Sequence, residues 1–475
     1  MSAEEVKTMS HKDVVQPEEL DYSKSNQELR PGSYRYQKLP PFTTGGSSPT
    51  MSLTNTTETS FEIPAKVVNF DKSMVSCTVK LSNLNTKYNH AHQFGLCEID
   101  RVSLATRSGV QLCNIAHTGI VHKALAQAYT PQSEFMSLPR HKTGATEAVC
   151  YEAGCKFSRS NADGDTALSA HGDSGEYINN AGAYAHSEDN VVGVRHAVSG
   201  AVGDAGTAGD LFYRLDIPLS QFHGSILAKK QDLFFAGEIL VLTIHWSLGT
   251  KWGFTSDAID AATNPVALAT APEVTKLNLY LAVETDRVIE SAVKNAFMSG
   301  KRFTIPWITV VRDAMNASEK DFSQKISRAH GKRLLRMGVI VANNSEVANL
   351  WGNFDNTAGS KTTSFYTQLD GFRLQDGNLT TATGDDYRQL KPLLRGSAYA
   401  SNDMYRRVPI WFDNWAGNRS VEWADEDEIE SGLDLTKSEY LWAWSATSAV
   451  NAQVIYAIMI TQRDLYLGPG GIMVA

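Results

Sequence analysis

Apolar and polar residues alternate along most of this chain with the period of β-strands. From Val274 to Val283 the residues Leu277, Leu279, Leu281 and Val283 fall on one face, with Lys276, Asn278 and Tyr280 on the other. That pattern predicts a strand buried on one side. Glu238–Trp246 (EILVLTIHW) and Ala452–Ile460 (AQVIYAIMI) are nearly continuous apolar runs rich in Ile and Val. They predict strands buried on both faces, as in the interior of a sandwich. Helical spacing is scarce. Ile120–Ala128 carries it and stops before Pro131; Asp286–Gly300 opens on a capping aspartate, spaces Ile289, Val293 and Phe297 four apart, and ends at glycine.

The pattern also repeats. Phe61-Glu62-Ile63-Pro64 with Val67-Val68 is answered by Phe303-Thr304-Ile305-Pro306 with Val310-Val311. Tyr213-Arg214 leading to Pro218-Leu219 is answered by Tyr387-Arg388 leading to Pro392-Leu393. Each is followed by a strand-like segment ending in tryptophan, at Trp246 and Trp415, and each half closes on a long strand, near Tyr280 and near Tyr456. Four landmarks in one order imply an internal duplication. The interval from Phe61 to Tyr213 is 152 positions, that from Phe303 to Tyr387 only 84. Much of the excess falls in Asn161–Asp210, dominated by Gly, Ala, Asp and Ser, which reads as a long loop projecting from one end of the first half.

Residues 1–58 differ from the rest. They are rich in Glu, Ser, Thr and Pro and poor in aliphatic residues, too few to fold alone. They read as a disordered arm, with Tyr34-Arg35-Tyr36 before Pro40-Pro41-Phe42 as its docking point. The remainder divides into 59–285, carrying an insertion at about 140–210, and 286–475. Two sandwiches of about eight strands each, with few short helices, make the fold class all-β: two tandem eight-stranded jelly rolls.

Composition adds limits. With 42% apolar and 20% charged residues the chain can bury a large core. A net charge of −8, mixed along the sequence, argues against bulk nucleic-acid binding, which needs a basic face. No apolar stretch of about 18 residues is present to span a membrane, and the start MSAEEVKTMS lacks the basic-then-apolar pattern of a signal peptide. The sequons at Asn55, Asn316, Asn343, Asn378 and Asn418 therefore read as chance matches. Five cysteines, Cys77, Cys97, Cys113, Cys150 and Cys155, are an odd number in a long chain and read as free thiols.

Chemistry-bearing motifs are incomplete. His90, His92 and Cys97 resemble half of a zinc site without a second ligand pair. Cys150 and Cys155 are spaced too widely for C-x₂-C. Gly200–Gly209 lacks the Lys-Ser/Thr of a phosphate loop. Gly172-Asp173-Ser174-Gly175 resembles a protease nucleophile turn but sits in the polar insertion. Asp425-Glu426-Asp427-Glu428 reads as a solvated loop, with hard-cation binding the lesser reading. The nine tryptophans read as core, not as a sugar-binding groove. We assign no catalytic, cofactor-binding or metal residues.

The segments RLDIPLSQF (Arg214–Phe222), EILVLTIHW (Glu238–Trp246), RFTIPWITVVRD (Arg302–Asp313) and FYTQLDGFRL (Phe365–Leu374), in this order after an arm, resemble the double jelly-roll major capsid proteins of polinton-like viruses, virophages and their relatives. The resemblance covers roughly residues 60–467. It implies two rolls side by side and perpendicular to a shell, three chains giving six wedges of a pseudo-hexagonal block, and no catalysis. It further implies a virion location, with penton and minor capsid proteins as partners beside the homotrimer. Two other readings stand beside it: a carbohydrate-binding or carbohydrate-active β-sandwich, which would need paired carboxylates in a groove, and a vertex protein, which would need only one roll.

Overall fold

The computed structural model describes residues 34–42, 51–52, 58–84, 87–90, 98–119, 121, 141–143, 195–196, 209–248, 253–256, 266–267, 271–299, 302–315, 321–343, 363–374, 378–380, 410–415, 432–446, 453–468 and 471–474. Sixteen strands carry the architecture. In the first half they are β1 (Tyr34–Leu39), β2 (Glu58–Ile63), β3 (Val68–Leu84), β4 (Ile99–Thr106), β5 (Gln111–Ala116), β6 (Gly209–Pro218), β7 (Leu240–Trp246) and β8 (Glu273–Glu284). The helix α1 (Arg287–Met298) leads to the second half. There the strands are β9 (Arg302–Met315), β10 (Asp321–Ile326), β11 (Arg333–Asn343), β12 (Thr363–Leu369), β13 (Phe372–Arg373), β14 (Ile410–Asn414), β15 (Tyr440–Ala446) and β16 (Gln453–Gly468). Shorter strands are given by residue numbers alone.

The two halves have one topology. In the first, antiparallel sheets run β1-β8-β3-β6 and β2-β7-β4-β5. In the second they run β9-β16-β11-β14 and β10-β15-β12-β13, the same order with eight added to each number. This is the double Greek key of the jelly roll, twice. A further four-stranded sheet joins residues 266–267, 253–256, 87–90 and 195–196. Its strands come from the β3–β4, β5–β6 and β7–β8 connections, so all leave one end of the first roll.

Burial explains the elements and corrects several expectations. β16 is buried on both faces from Val454 to Gln462, as its apolar run predicts. β7 is not: Leu240, Leu242, Ile244 and Trp246 are buried, whereas Val241, Thr243 and His245 are half-exposed, so it covers one face only. Trp246 ends that face, its indole N–H donating to buried Thr59 Oγ1 at 2.7 Å. β8 buries Leu277, Leu279, Leu281 and Val283 as expected, but also Val274, Asn278, Ala282 and Glu284 on the opposite parity, so it is covered on both faces and not on one. A bulge separates Val274 from the rest of the strand. Lys276 has φ +53°, and pairing with β3 jumps from Thr275–Thr78 to Asn278–Ser76. α1 forms as read: Asp286 Oδ1 caps Val288 N at 2.8 Å, and Val293 and Phe297 are buried. Of the helix expected at Ile120–Ala128 only the onset, at Thr118, Gly119 and Val121, is described.

The duplication is real, but two of its four landmarks pair the wrong strands and a third falls half outside the described residues. Phe61–Pro64 closes β2, whereas Phe303–Pro306 opens β9, whose counterpart is β1. Tyr213–Pro218 lies in β6, whose counterpart β14 begins at Ile410; Tyr387 and Pro392 lie outside the described residues. Trp246 ends β7, but Trp415 follows β14, and the counterparts of Trp246 are Trp442 and Trp444 in β15. Only Tyr280 in β8 and Tyr456 in β16 match. The cause is physical: proline marks a strand edge or end wherever it falls. Pro306 is tolerated inside β9 because β9 edges its sheet.

The arm expected over residues 1–58 contains strands. Tyr34–Leu39 pairs with β8 from Tyr34–Glu284 to Leu39–Leu279. Met51–Ser52 also pairs with β8, and β2 begins at Glu58. Tyr34–Leu39 is therefore an edge strand of the first roll's sheet. Composition missed β1 because it buries little: of its six residues only Tyr34, Gln37 and Leu39 are even half-buried. Ordering a residue costs about 1–2 kcal/mol, and a ladder hydrogen bond returns about 0.5–1.5 kcal/mol, so the ladder alone roughly cancels at best. Side-chain anchors decide the balance. Tyr34 Oη donates to Asp232 Oδ1 at 2.8 Å, and Asn69 Nδ2 donates to the same oxygen at 2.9 Å. Lys72 Nζ lies 3.9 Å from the Tyr34 ring centroid, and Lys66 Nζ donates to Gln37 Oε1 at 3.3 Å. Asp232 is only 1% exposed, so the lost donor would not be replaced by bulk water. Tyr34→Phe should therefore loosen β1 by about 1–3 kcal/mol. Hydrogen exchange followed by mass spectrometry should show residues 34–39 exchanging faster while β16 is unchanged. Unchanged exchange in β1 would contradict the anchor.

Candidate functional site

The motifs singled out in the sequence do not assemble a chemical centre among the described residues. His90 ends the strand 87–90, opposite Gly253. His92, Cys97, Cys150, Cys155, Gly172–Gly175 and Asp425–Glu428 lie outside the described residues, as does Gly200–Gly209 apart from Gly209 at the start of β6. Among the described residues no three His, Cys, Asp or Glu side chains are grouped to hold a metal ion, and no helix is long and apolar enough to cross a membrane. Cys77 and Cys113 are free and buried. Burial pushes the Cys113 thiol up to about 12 and Cys77 higher still, so neither supplies a thiolate near neutral pH. Trp246, Trp307, Trp442 and Trp444 are all buried, so these indoles line no open groove.

The most organised surface is the seam where one roll meets the other. The first roll contributes β5 and the β6–β7 connection; the second contributes β9 and β16. The β6–β7 connection folds into two short 3-10 turns, Leu219–Gln221 and Ile226–Ala228. Phe222, Ile226 and Leu227 are buried there. Between the turns Gly224 has φ +72°, and a Cβ at that position would stand 3.0 Å from Ile460 Cδ1 of β16. Only glycine combines that backbone with that approach.

At the end of β5, the His117 ring stands edge-on to Tyr456, centroids 5.4 Å apart at 71°. His117 holds φ +53°, unusual for a side-chain-bearing residue. Arg312 of β9 donates Nε to Tyr456 Oη at 3.4 Å. Burial raises the Tyr456 phenol above its ordinary value, opposed by Arg312, so it remains a neutral hydrogen-bonding group. At the other side α1 stacks Phe297 on Phe303 of β9, centroids 4.3 Å apart, and Lys294 Nζ lies 5.6 Å from the Phe234 ring.

One continuous cluster of buried side chains runs from Phe61 and Val75 of the first roll through Phe222 and Phe297 to Ile308 and Ile460 of the second. Sequence reasoning missed the seam. Gly224 and His117 are single residues whose partners lie far along the chain, and no local motif marks them. Gly224→Val should cost about 2–4 kcal/mol, from the left-handed backbone and from overpacking against Ile460. Chemical denaturation checks this; a change below about 0.5 kcal/mol, the range of an ordinary surface substitution, would mean the seam is loosely packed.

No family model matches the sequence, and no curated protein matches it. Solved structures do. A chain of the Sputnik virophage, from its 3.5 Å structure by cryo-EM, superposes with a TM-score of 0.54 at 12% identity, covering 97% of this chain and 92% of that one. The mavirus major capsid protein gives 0.49 at 9% identity, covering 96% and 93%. The Faustovirus major capsid protein gives 0.48 at 11%, covering 93% and 92%. At such low identity the likeness concerns the fold. The Sputnik match takes in both halves of the chain and agrees with the strand order traced above: this protein has the double jelly-roll fold.

Proposed function

We propose that the chain is the major capsid protein of an icosahedral DNA virus, a non-enzymatic building block that forms pseudo-hexameric homotrimers. One observation carries the reading: two rolls of identical topology are welded by a continuous core into one block, and the Sputnik virophage structure matches 97% of this chain. A duplicated wedge with a fixed seam has a geometric use, since three such chains close a ring of six. The carbohydrate reading has no support in the buried tryptophans.

Four further assignments belong to the same proposal. The Asn161–Asp210 insertion is an outward tower. Its residues Arg195–His196 pair with Tyr88–Asn89 in the loop-built sheet at one end of the first roll, which supports the placement. Residues 1–33 are an arm that reaches neighbouring capsomers. Penton and minor capsid proteins complete the shell, and the location is the virion.

Native mass spectrometry should find three copies of the 52.0 kDa chain. A variant lacking residues 1–33 should still trimerise but assemble shells poorly. A stable monomer at micromolar concentration in virion-like buffer would contradict the trimer. Normal shell yield from the shortened chain would contradict the role of the arm. A density map with Asn161–Asp210 on the inner face of the shell would contradict the tower.

A further inference from the structure

The seam inside one chain can be set, strand by strand, beside the surfaces the chain leaves exposed. The two rolls are matched closely enough to transfer it. In the first, the turn after β4 donates Arg107 N to Ile239 O, just before β7, at 2.8 Å. In the second, the turn after β12 donates Asp370 N to Glu439 O, just before β15, at 2.9 Å. Position in the sheets and these turn contacts make β13 the counterpart of β5, and β1 the counterpart of β9.

Within the chain β5 packs on β9. Their counterparts, β13 and β1, are left uncovered. Phe372 of β13 is 78% exposed and Leu374 beside it 45%, while Tyr36 of β1 is 56% exposed. By contrast, Ile308 of β9 is 2% exposed, and Val310, which stands to Arg312 as Tyr36 stands to Lys38, is half-buried against the core. Lys38 of β1 pairs with Tyr280 of β8, as Arg312 of β9 pairs with Tyr456 of β16. A basic residue thus faces a tyrosine on the same two strands of each roll. Tyr456 is buried with His117 against it, whereas Tyr280 is only partly covered. Residues paired across a ladder share a face, so Tyr36, Lys38 and Tyr280 form one patch.

The opposite partner is presented rigidly. Asp370 and Gly371 have φ of +51° and +84°, a two-residue hairpin turn whose twist suits the flanking strands. Asp370 Oδ1 accepts from Glu439 N at 2.7 Å, and the Arg373 guanidinium lies 4.0 Å from the Tyr366 ring centroid. A large exposed aromatic held this firmly marks an anchor for a partner.

We propose that Phe372 and Leu374 of one copy pack on the Tyr36–Lys38–Tyr280 face of the next, repeating between chains the seam that β5 and β9 make within one. The occupant of each patch is a second copy of this chain. The inference rests on the trimeric reading above. Such a contact joins unlike surfaces head to tail, and it closes only if the rotation at each join matches that of the internal seam.

The test uses full-length chains in which Cys97, Cys150 and Cys155 are serine; Cys77 and Cys113 are buried. Tyr36→Cys and Phe372→Cys are placed on separate chains, co-expressed and treated with a short bis-maleimide. Covalent dimers are expected only when both variants are present, and three-chain products when both changes share one chain. Phe372→Glu should weaken association by about 10- to 100-fold while leaving the far-ultraviolet circular dichroism of the chain unchanged, because the side chain is exposed. Trimers that neither cross-link nor weaken would overturn this inference and leave the trimer standing. An unaltered chain that never trimerises would overturn both.

Discussion

The structure depends on close packing across the seam between the rolls. Two sandwiches on a flexible tether would each need their own sealed surface and would meet at variable angles. Here a glycine at φ +72° lets the β6–β7 connection of one roll sit against Ile460 of the other, and His117 accepts a strained backbone to reach Tyr456. Close-packed interiors resist sliding because a displacement of one methylene is felt. The relative orientation of the rolls is therefore a property of the core. Where a linker would have served as a tether, α1 buries Val293 and Phe297 and becomes part of the same packing.

The two rolls keep one topology while meeting different demands at their first strands. β9 has fourteen residues and buries Ile305 and Trp307 on one face and Ile308 on the other, the face it shares with the seam residue Ile460. β1 has six, mostly exposed, and is held by a ladder and a buried carboxylate. The asymmetry follows from position. Inside one chain the second roll's first strand is covered by its neighbour, while the first roll's first strand stays largely exposed among the described residues. An exposed edge strand is ordinarily an aggregation hazard. A short polar strand beside an aromatic patch limits pairing through the backbone while leaving a specific side-chain contact available.

Much of this was legible in the sequence, for particular reasons. The periodicity of β8 and β16 and the spacing in α1 are local signals, and the structure follows them. The duplication was legible as a fact, yet F-x-I-P and the terminal tryptophans paired the wrong strands. Proline and indole report an environment, edge or core, that several strands share. β1 was illegible because its stability comes from Asp232 and Asn69, both remote in sequence. The seam was illegible for the same reason: nothing near Gly224 announces Ile460. His90 is the one member of the His/Cys set with a described position, and it sits in a loop-built sheet beside Gly253.

The central claim is that one contact, made once inside the chain, sets the spacing of wedges in the assembled block. An electron cryomicroscopy reconstruction of the purified protein tests it directly. The account predicts a threefold block of six pillars in which neighbouring rolls are related by nearly the same rotation and separation within a chain and between chains. A block whose inter-chain joins use a different face, with the Phe372 turn left in solvent, would contradict it.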